Sequence, residues 1–152
     1  MGHSAIHIPE NCWIAVCDSE QARLLRNKGD ARRPNLATVW ASFRQGKLAH
    51  DLGANRPGRF PQSFAFGVER SATKQMGLHQ KVETDRLRIM ISRLARAVRG
   101  KRAKEIIIVA PESVLGWVRS NMPRTVEHAV VSELRQDLTH CSLDSIRQHL
   151  TT

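Results

Sequence analysis

The stretch Lys104-Glu105-Ile106-Ile107-Ile108-Val109-Ala110-Pro111 decides the fold class. Its run of isoleucines and valine is too uniformly apolar for a strand with one wet face, so it reads as a central parallel strand covered on both sides. Pro111 follows, and proline suits the first turn of a helix, here one reaching about Asn121. Just upstream, residues 83–99 form the clearest helix. Leu87, Met90, Ile91, Leu94, Ala95 and Val98 fall at i, i+3, i+4, i+7 spacing and make one apolar stripe. Thr84 suits the N-cap, and Gly100 suits the left-handed stop after the helix.

Working outward, residues 13–17 form a short buried strand. The Asp18-Ser19-Glu20 turn leads to a second strand over 21–27, with Ala22, Leu24 and Leu25 as inward candidates. Lys28-Gly29-Asp30 breaks it, and residues 36–44, with Thr38, Val39, Trp40 and Phe43, form a third. Downstream, alternation over 126–135 predicts a last strand, and Ser142 caps a closing helix over 143–150. Residues 45–82 lack sustained periodicity and are punctuated by glycine and proline. They read as a long basic loop, with a helical turn possible within 68–76. Residues 1–11 read as a flexible tail and 12–152 as a single domain. The expected order is β-β-β-α-β-α-β-α: an α/β fold with a mixed sheet of about five strands, the order of the ribonuclease H-like architecture.

The chain has 152 residues, 41% hydrophobic and 25% charged, enough to bury a core without staples. Its net charge is +10. Residues 53–104 hold 13 basic and 3 acidic side chains, a regional excess as large as the whole net charge. A localised basic patch attracts polyanions. If it binds RNA, the candidate contacts are Arg56, Arg59, Arg70, Lys74, Lys81, Arg86 and Arg93. The first five sit on the expected loop. Arg86 and Arg93, two turns apart on the helix, share a face away from Leu87, Leu94 and Val98. Phe60, Phe64 and Phe66 interleave with arginines in the loop, where they could stack on bases or pin the loop to the body.

No stretch approaches the roughly 20 apolar residues a membrane span needs, so membrane insertion is not expected. Cys12, Cys17 and Cys141 are odd in number and lack CxxC spacing, which argues for reduced thiols in a cytoplasm. Nucleotide-binding and serine-hydrolase signatures are missing. Asp18 ends the first strand, where a nuclease metal ligand would lie, but the central strand offers no acid at its far end. Asp18 is more simply a turn former. His3, His7, Cys12 and Cys17 match no common zinc spacing, and His140-Cys141 stands isolated in sequence. Accordingly no catalytic residue, metal ligand or cofactor is assigned.

Several short segments resemble the bacterial host attachment protein family: Asp18 followed by Ala22-Arg23-Leu24, the loop Asn55-Arg56-Pro57-Gly58-Arg59, Val109-Ala110-Pro111 with Leu115-Gly116, and residues 133–139 ending Asp137-Leu138-Thr139. The resemblance spans about residues 12–150. It implies kinship with the middle domain of archaeo-eukaryotic peptide-release factors, a ribonuclease H-like topology, and a link to RNA or the ribosome. The Gly-Gly-Gln loop through which that domain acts has no counterpart here, so peptidyl-tRNA hydrolysis is not implied. The expected function is a cytoplasmic RNA- or ribosome-associated binding domain. A divergent RNA or RNA-ester hydrolase, and a protein-interaction adaptor in attachment signalling, are the alternatives; an acidic protein is a further partner the charge admits.

Overall fold

A computed structural model describes residues 5–43 and 72–152, with backbone alone for 72–82. Its element order is β1 (Trp13–Cys17), β2 (Gln21–Asn27), β3 (Leu36–Phe43), α1 (Ala72–Arg99), β4 (Ile106–Val109), α2 (Glu112–Ser120), α3 (Arg124–Ala129), β5 (Val130–Leu134) and α4 (Leu143–Thr151). The five strands form one mixed sheet in the order β3-β2-β1-β4-β5. β2 runs antiparallel to both its neighbours, while β1, β4 and β5 pair in parallel.

The isoleucine run sits where its composition places it. Ile106 and Ile108 face one core with Trp13, Ala15, Leu24, Leu87, Met90 and Leu94. Ile107 and Val109 face the other, with Ile14, Val16, Leu25, Ile146 and Leu150. Alternate residues therefore point to opposite faces, and both faces are covered by helices. The same arrangement settles the inward residues of β2: Leu24 and Leu25 are both buried, one on each face.

Three expectations need correction. First, α1 starts at Ala72, so residues 72–82 are helical rather than loop, and Thr84 lies inside the helix instead of capping it. The first eleven residues of α1 hold Gly77 and few large apolar side chains, so no stripe announced them. Second, the left-handed position after α1 is Lys101, at φ 60°, not Gly100. Lys101 N–H donates to Val98 O and Arg102 N–H to Ala97 O, a Schellman closure with Gly100 one position early. Third, β5 begins at Val130 because residues 124–129 form α3. Pro123 presets an extended N-cap, and Val126 and Ala129, three apart, bury one helical face in the core.

Residues 5–11, read as a flexible tail, lie against the sheet instead. Ile8 is buried, Ile6 N–H donates to Leu150 O, and Asn27 Nδ2 donates to Ile8 O and Pro9 O. The closing helix matches expectation, its Ser142 Oγ accepting from Ser145 N–H at 3.1 Å.

Candidate functional site: a basic helical flank and a carboxylate–histidine cluster

The basic excess is displayed on α1 and the turn after it. Arg88, Arg93, Arg96, Arg99, Lys101, Arg102 and Lys104 are all exposed. At 100° per residue the four helical arginines fall in an arc of about 140°. The ion pairs of Arg119 with Glu133, Arg135 with Glu112, Arg147 with Asp144 and His140 with Asp18 lie elsewhere in the molecule. Two of the arginines lean on aromatic faces. The Arg88 guanidinium sits 5.4 Å from the Trp117 ring centre and that of Arg93 5.3 Å from Trp40. Such contacts hold about 0.5–1 kcal/mol at exposed sites and fix where the charge points. Arg96, Arg99, Lys101 and Arg102 carry the remaining charge toward solvent.

The sequence-derived contacts divide. Arg56, Arg59 and Arg70 lie outside the described residues, as do the three loop phenylalanines. Lys74 and Lys81 belong to α1, not to a loop. Arg93 is exposed as expected, whereas Arg86 is only 7% exposed and its Nη1 donates to Ser19 O at 3.3 Å. The two do share a helical stripe. What differs is the neighbour: the β1–β2 turn meets Arg86 through Ser19 O, and Arg93 lies over Trp40 of the edge strand β3.

A second constellation lies at the carboxyl ends of the parallel strands, where open α/β sheets place their ligands. Asp18 directly follows β1, and Asp137 lies three residues beyond β5. Asp18 does form the turn the sequence suggested: its Oδ1 accepts from the backbone N–H of Glu20 at 2.7 Å and of Gln21 at 2.8 Å. Its Oδ2 is left for other partners. Thr139 Oγ1 stands 2.8 Å from Asp18 Oδ2 and 2.6 Å from Asp137 Oδ1. That hydroxyl has one proton and faces two carboxylates, so it donates to only one at a time. His140 Nε2 lies 3.9 Å from Asp18 Oδ2. Its Nδ1 is 3.3 Å from the Gln21 side-chain amide. Arg23 Nη1 donates to Thr139 O and Cys141 O, clamping the segment that carries Thr139 and His140 against β2.

Burial works against the charge of Asp137. The Thr139 hydroxyl and backbone N–H outweigh it and, with His140 and Asp18, hold the carboxyl below its ordinary value. Beneath the cluster, burial pushes the Cys17 thiol up to about 12, with Asp18 and Asp137 adding to the effect. Burial, reinforced by Glu105, pushes Cys12 up to about 12 as well. Sequence reading reached Asp18 but not its partners. Asp137 and His140 lie more than a hundred residues away, and only the parallel pairing of β1, β4 and β5 brings them alongside.

Sheet, helices and clusters together define an α/β domain with a basic helical flank and a carboxylate–histidine group at its strand ends. The chain belongs to the family described as protein required for attachment to host cells, whose model matches residues 13–150. No curated protein matches it. Among the described residues, no helix is long and apolar enough to cross a membrane.

Proposed function

We propose that this host attachment family member is an RNA- or ribosome-associated binding domain that engages polyanions through the exposed flank of α1 and the turn after it. The observation that carries this reading is the set Arg96, Arg99, Lys101 and Arg102: four exposed cations in seven residues, with no acidic residue from Arg86 to Lys104. Guanidinium groups in that density suit phosphate oxygens, to which they can donate in pairs. The strand order 3-2-1-4-5 with strand 2 alone reversed supports a ribonuclease H-like relationship. The kinship with release-factor middle domains that the family resemblance implies points the charge toward RNA rather than an acidic protein. In this reading the protein works in the cytoplasm and binds without the Gly-Gly-Gln chemistry.

The test is fluorescence anisotropy with a short labelled single-stranded RNA across a salt series. Each phosphate neutralised contributes about −0.7 to the slope of log affinity against log salt, so four contacts give a slope near −3. Changing Arg96 and Arg99 together to Ala should lower its magnitude by about 1.4. Both side chains are exposed, so stability should move by no more than about 0.5 kcal/mol. Arg56→Ala with Arg59→Ala tests the segment outside the described residues in the same way. No binding at low salt, or an unchanged slope in both pairs, retires the reading in favour of a protein adaptor. RNA turnover in magnesium that Asp18→Ala abolishes would replace it with a hydrolase.

A further inference from the structure

We propose that the groove between α1 and the α2–α3 connection is a site for single-stranded RNA, holding unpaired bases over its floor and phosphates at its two ends. This deepens the polyanion reading and rests on it. The groove has a volume of about 420 Å³, within the range of ligand clefts. Arg88, Ser92, Ala95 and Arg99 line it from α1, and Asn121 and Pro123 line it from the connection. At 100° per residue the four helical side chains fall in an arc of about 60°, so they form one wall. At 1.5 Å per residue Arg88 and Arg99 stand roughly 16 Å apart along that wall. One phosphate cannot bridge such a distance, whereas phosphates along an extended strand can occupy both ends.

The lining decides the occupant. Ile91 and Ala95 are buried and, with Pro123, make the floor apolar. Ser92 and Asn121 stand exposed at the rim as short polar groups. Asn121 Nδ2 donates to Trp117 O at 2.8 Å, which fixes its amide there. The charged residues of the lining are both arginines, and among the described residues that line the groove no carboxylate occurs. An apolar floor between two guanidinium groups matches a chain whose charged units alternate with flat rings. Arg88 is held by its 5.4 Å contact with the Trp117 ring, so its charge is positioned before a ligand arrives. Arg99 also belongs to the exposed set that continues to Lys101 and Arg102, so a strand leaving the groove past Arg99 meets further cations. A duplex offers phosphates to the same arginines but keeps its bases paired and stacked, away from the floor. The groove therefore adds affinity for unpaired strands and sets a preference that charge alone does not.

The experiment is fluorescence anisotropy of the full chain with a short labelled RNA, alone and annealed to its complement, at matched salt. The expected result is binding of the single strand tighter by roughly fivefold or more. Ser92→Leu fills the groove without changing charge. It replaces an exposed residue by a better helix former, so α1 should keep its place. This variant should abolish the preference while duplex affinity stays within about twofold, which also shows that it is folded. Arg88→Gln should lower the magnitude of the single-strand salt slope by about 0.7, the share of one phosphate. Equal affinity of the unmodified chain for the two RNAs, or a preference that survives Ser92→Leu, overturns the inference and leaves the polyanion reading standing, because RNA is still bound. Polyglutamate bound as tightly as the single strand at equal charge also overturns it, because the groove would then answer to charge alone. Absence of binding to either RNA at low salt overturns both.

Discussion

The two ends of β2 carry polar clusters of opposite character. At the far end, Asn27 is fully buried and every hydrogen-bonding atom of its side chain is used. The two Nδ2 protons are shared among Ile8 O, Pro9 O and Asp30 O, while Oδ1 accepts from the N–H of Gly29 and Asn35. At the near end, Asp18, Gln21, Thr139, Asp137 and His140 hold two carboxylates to one shared hydroxyl and leave a buried carbonyl unmatched. A buried cluster in which each side-chain polar atom has a partner is a structural joint, because a lost partner is not replaced by water. One that leaves a buried carbonyl unmatched beside exposed side chains lacks that closure. Position in the fold does not separate the two, since both flank β1; whether each buried side-chain atom has a partner does.

The strongest test of the contrast is Asn27→Ala. It strips partners from three carbonyls and two N–H groups that tie residues 5–11 and the β2–β3 turn to the sheet. Buried groups left unsatisfied cost about 1–3 kcal/mol each, and some here will reach water, so a loss of about 3 kcal/mol or more is expected in urea denaturation. A loss under about 1 kcal/mol would break the comparison. Such a variant should still be read against Gly29, where an added Cβ would meet Arg33 O at 2.3 Å, so the turn itself tolerates little adjustment.

Cysteine reactivity resolves the two ends separately, because Cys12 and Cys17 bracket β1. Asn27 N–H donates to Cys12 O at 2.9 Å, while Cys17 precedes Asp18. With both thiols raised to about 12, little thiolate is present near pH 8, and both are buried. Iodoacetamide should therefore modify Cys141 first in the native protein, and all three cysteines after denaturation. In Asn27→Ala, Cys12 should gain reactivity while Cys17 stays protected. Equal gains at both would mean that the two ends open together and form one cooperative unit.

The smallest effect concerns Asp137. Its folded pKa lies below the ordinary aspartate value of about 3.9, so its ionised form favours the fold at neutral pH. That contribution is present above the unfolded value and is lost as pH falls through the folded one. Carbon NMR titration should place its midpoint below the ordinary aspartate value of about 3.9, and Thr139→Ala should move it upward. A midpoint at or above the ordinary value would mean the hydroxyl serves Asp18 instead.

Much of the architecture could be read from local pattern. Ile106 to Val109 marks a strand buried on both sides because no solvent-facing strand tolerates that composition. Leu87 to Leu94 marks a helix because only a 3.6-residue period gathers those side chains. Ser142 and the Asp18 turn were legible for the same reason: each cap or turn bonds to a backbone two or three residues away. Charge concentration was equally visible, being a property of composition. The rest depended on neighbours distant in sequence. Arg86 and Arg93 have the same helical phase, yet one is buried beneath the Ser19 turn and the other lies over Trp40. Residues 126–129 alternate like the start of a strand, but Pro123 and burial of Val126 against α1 make 124–129 helical. Asp18 and His140 meet because parallel strands deliver their carboxyl ends to one edge of the sheet, a consequence of strand order that no window along the chain contains.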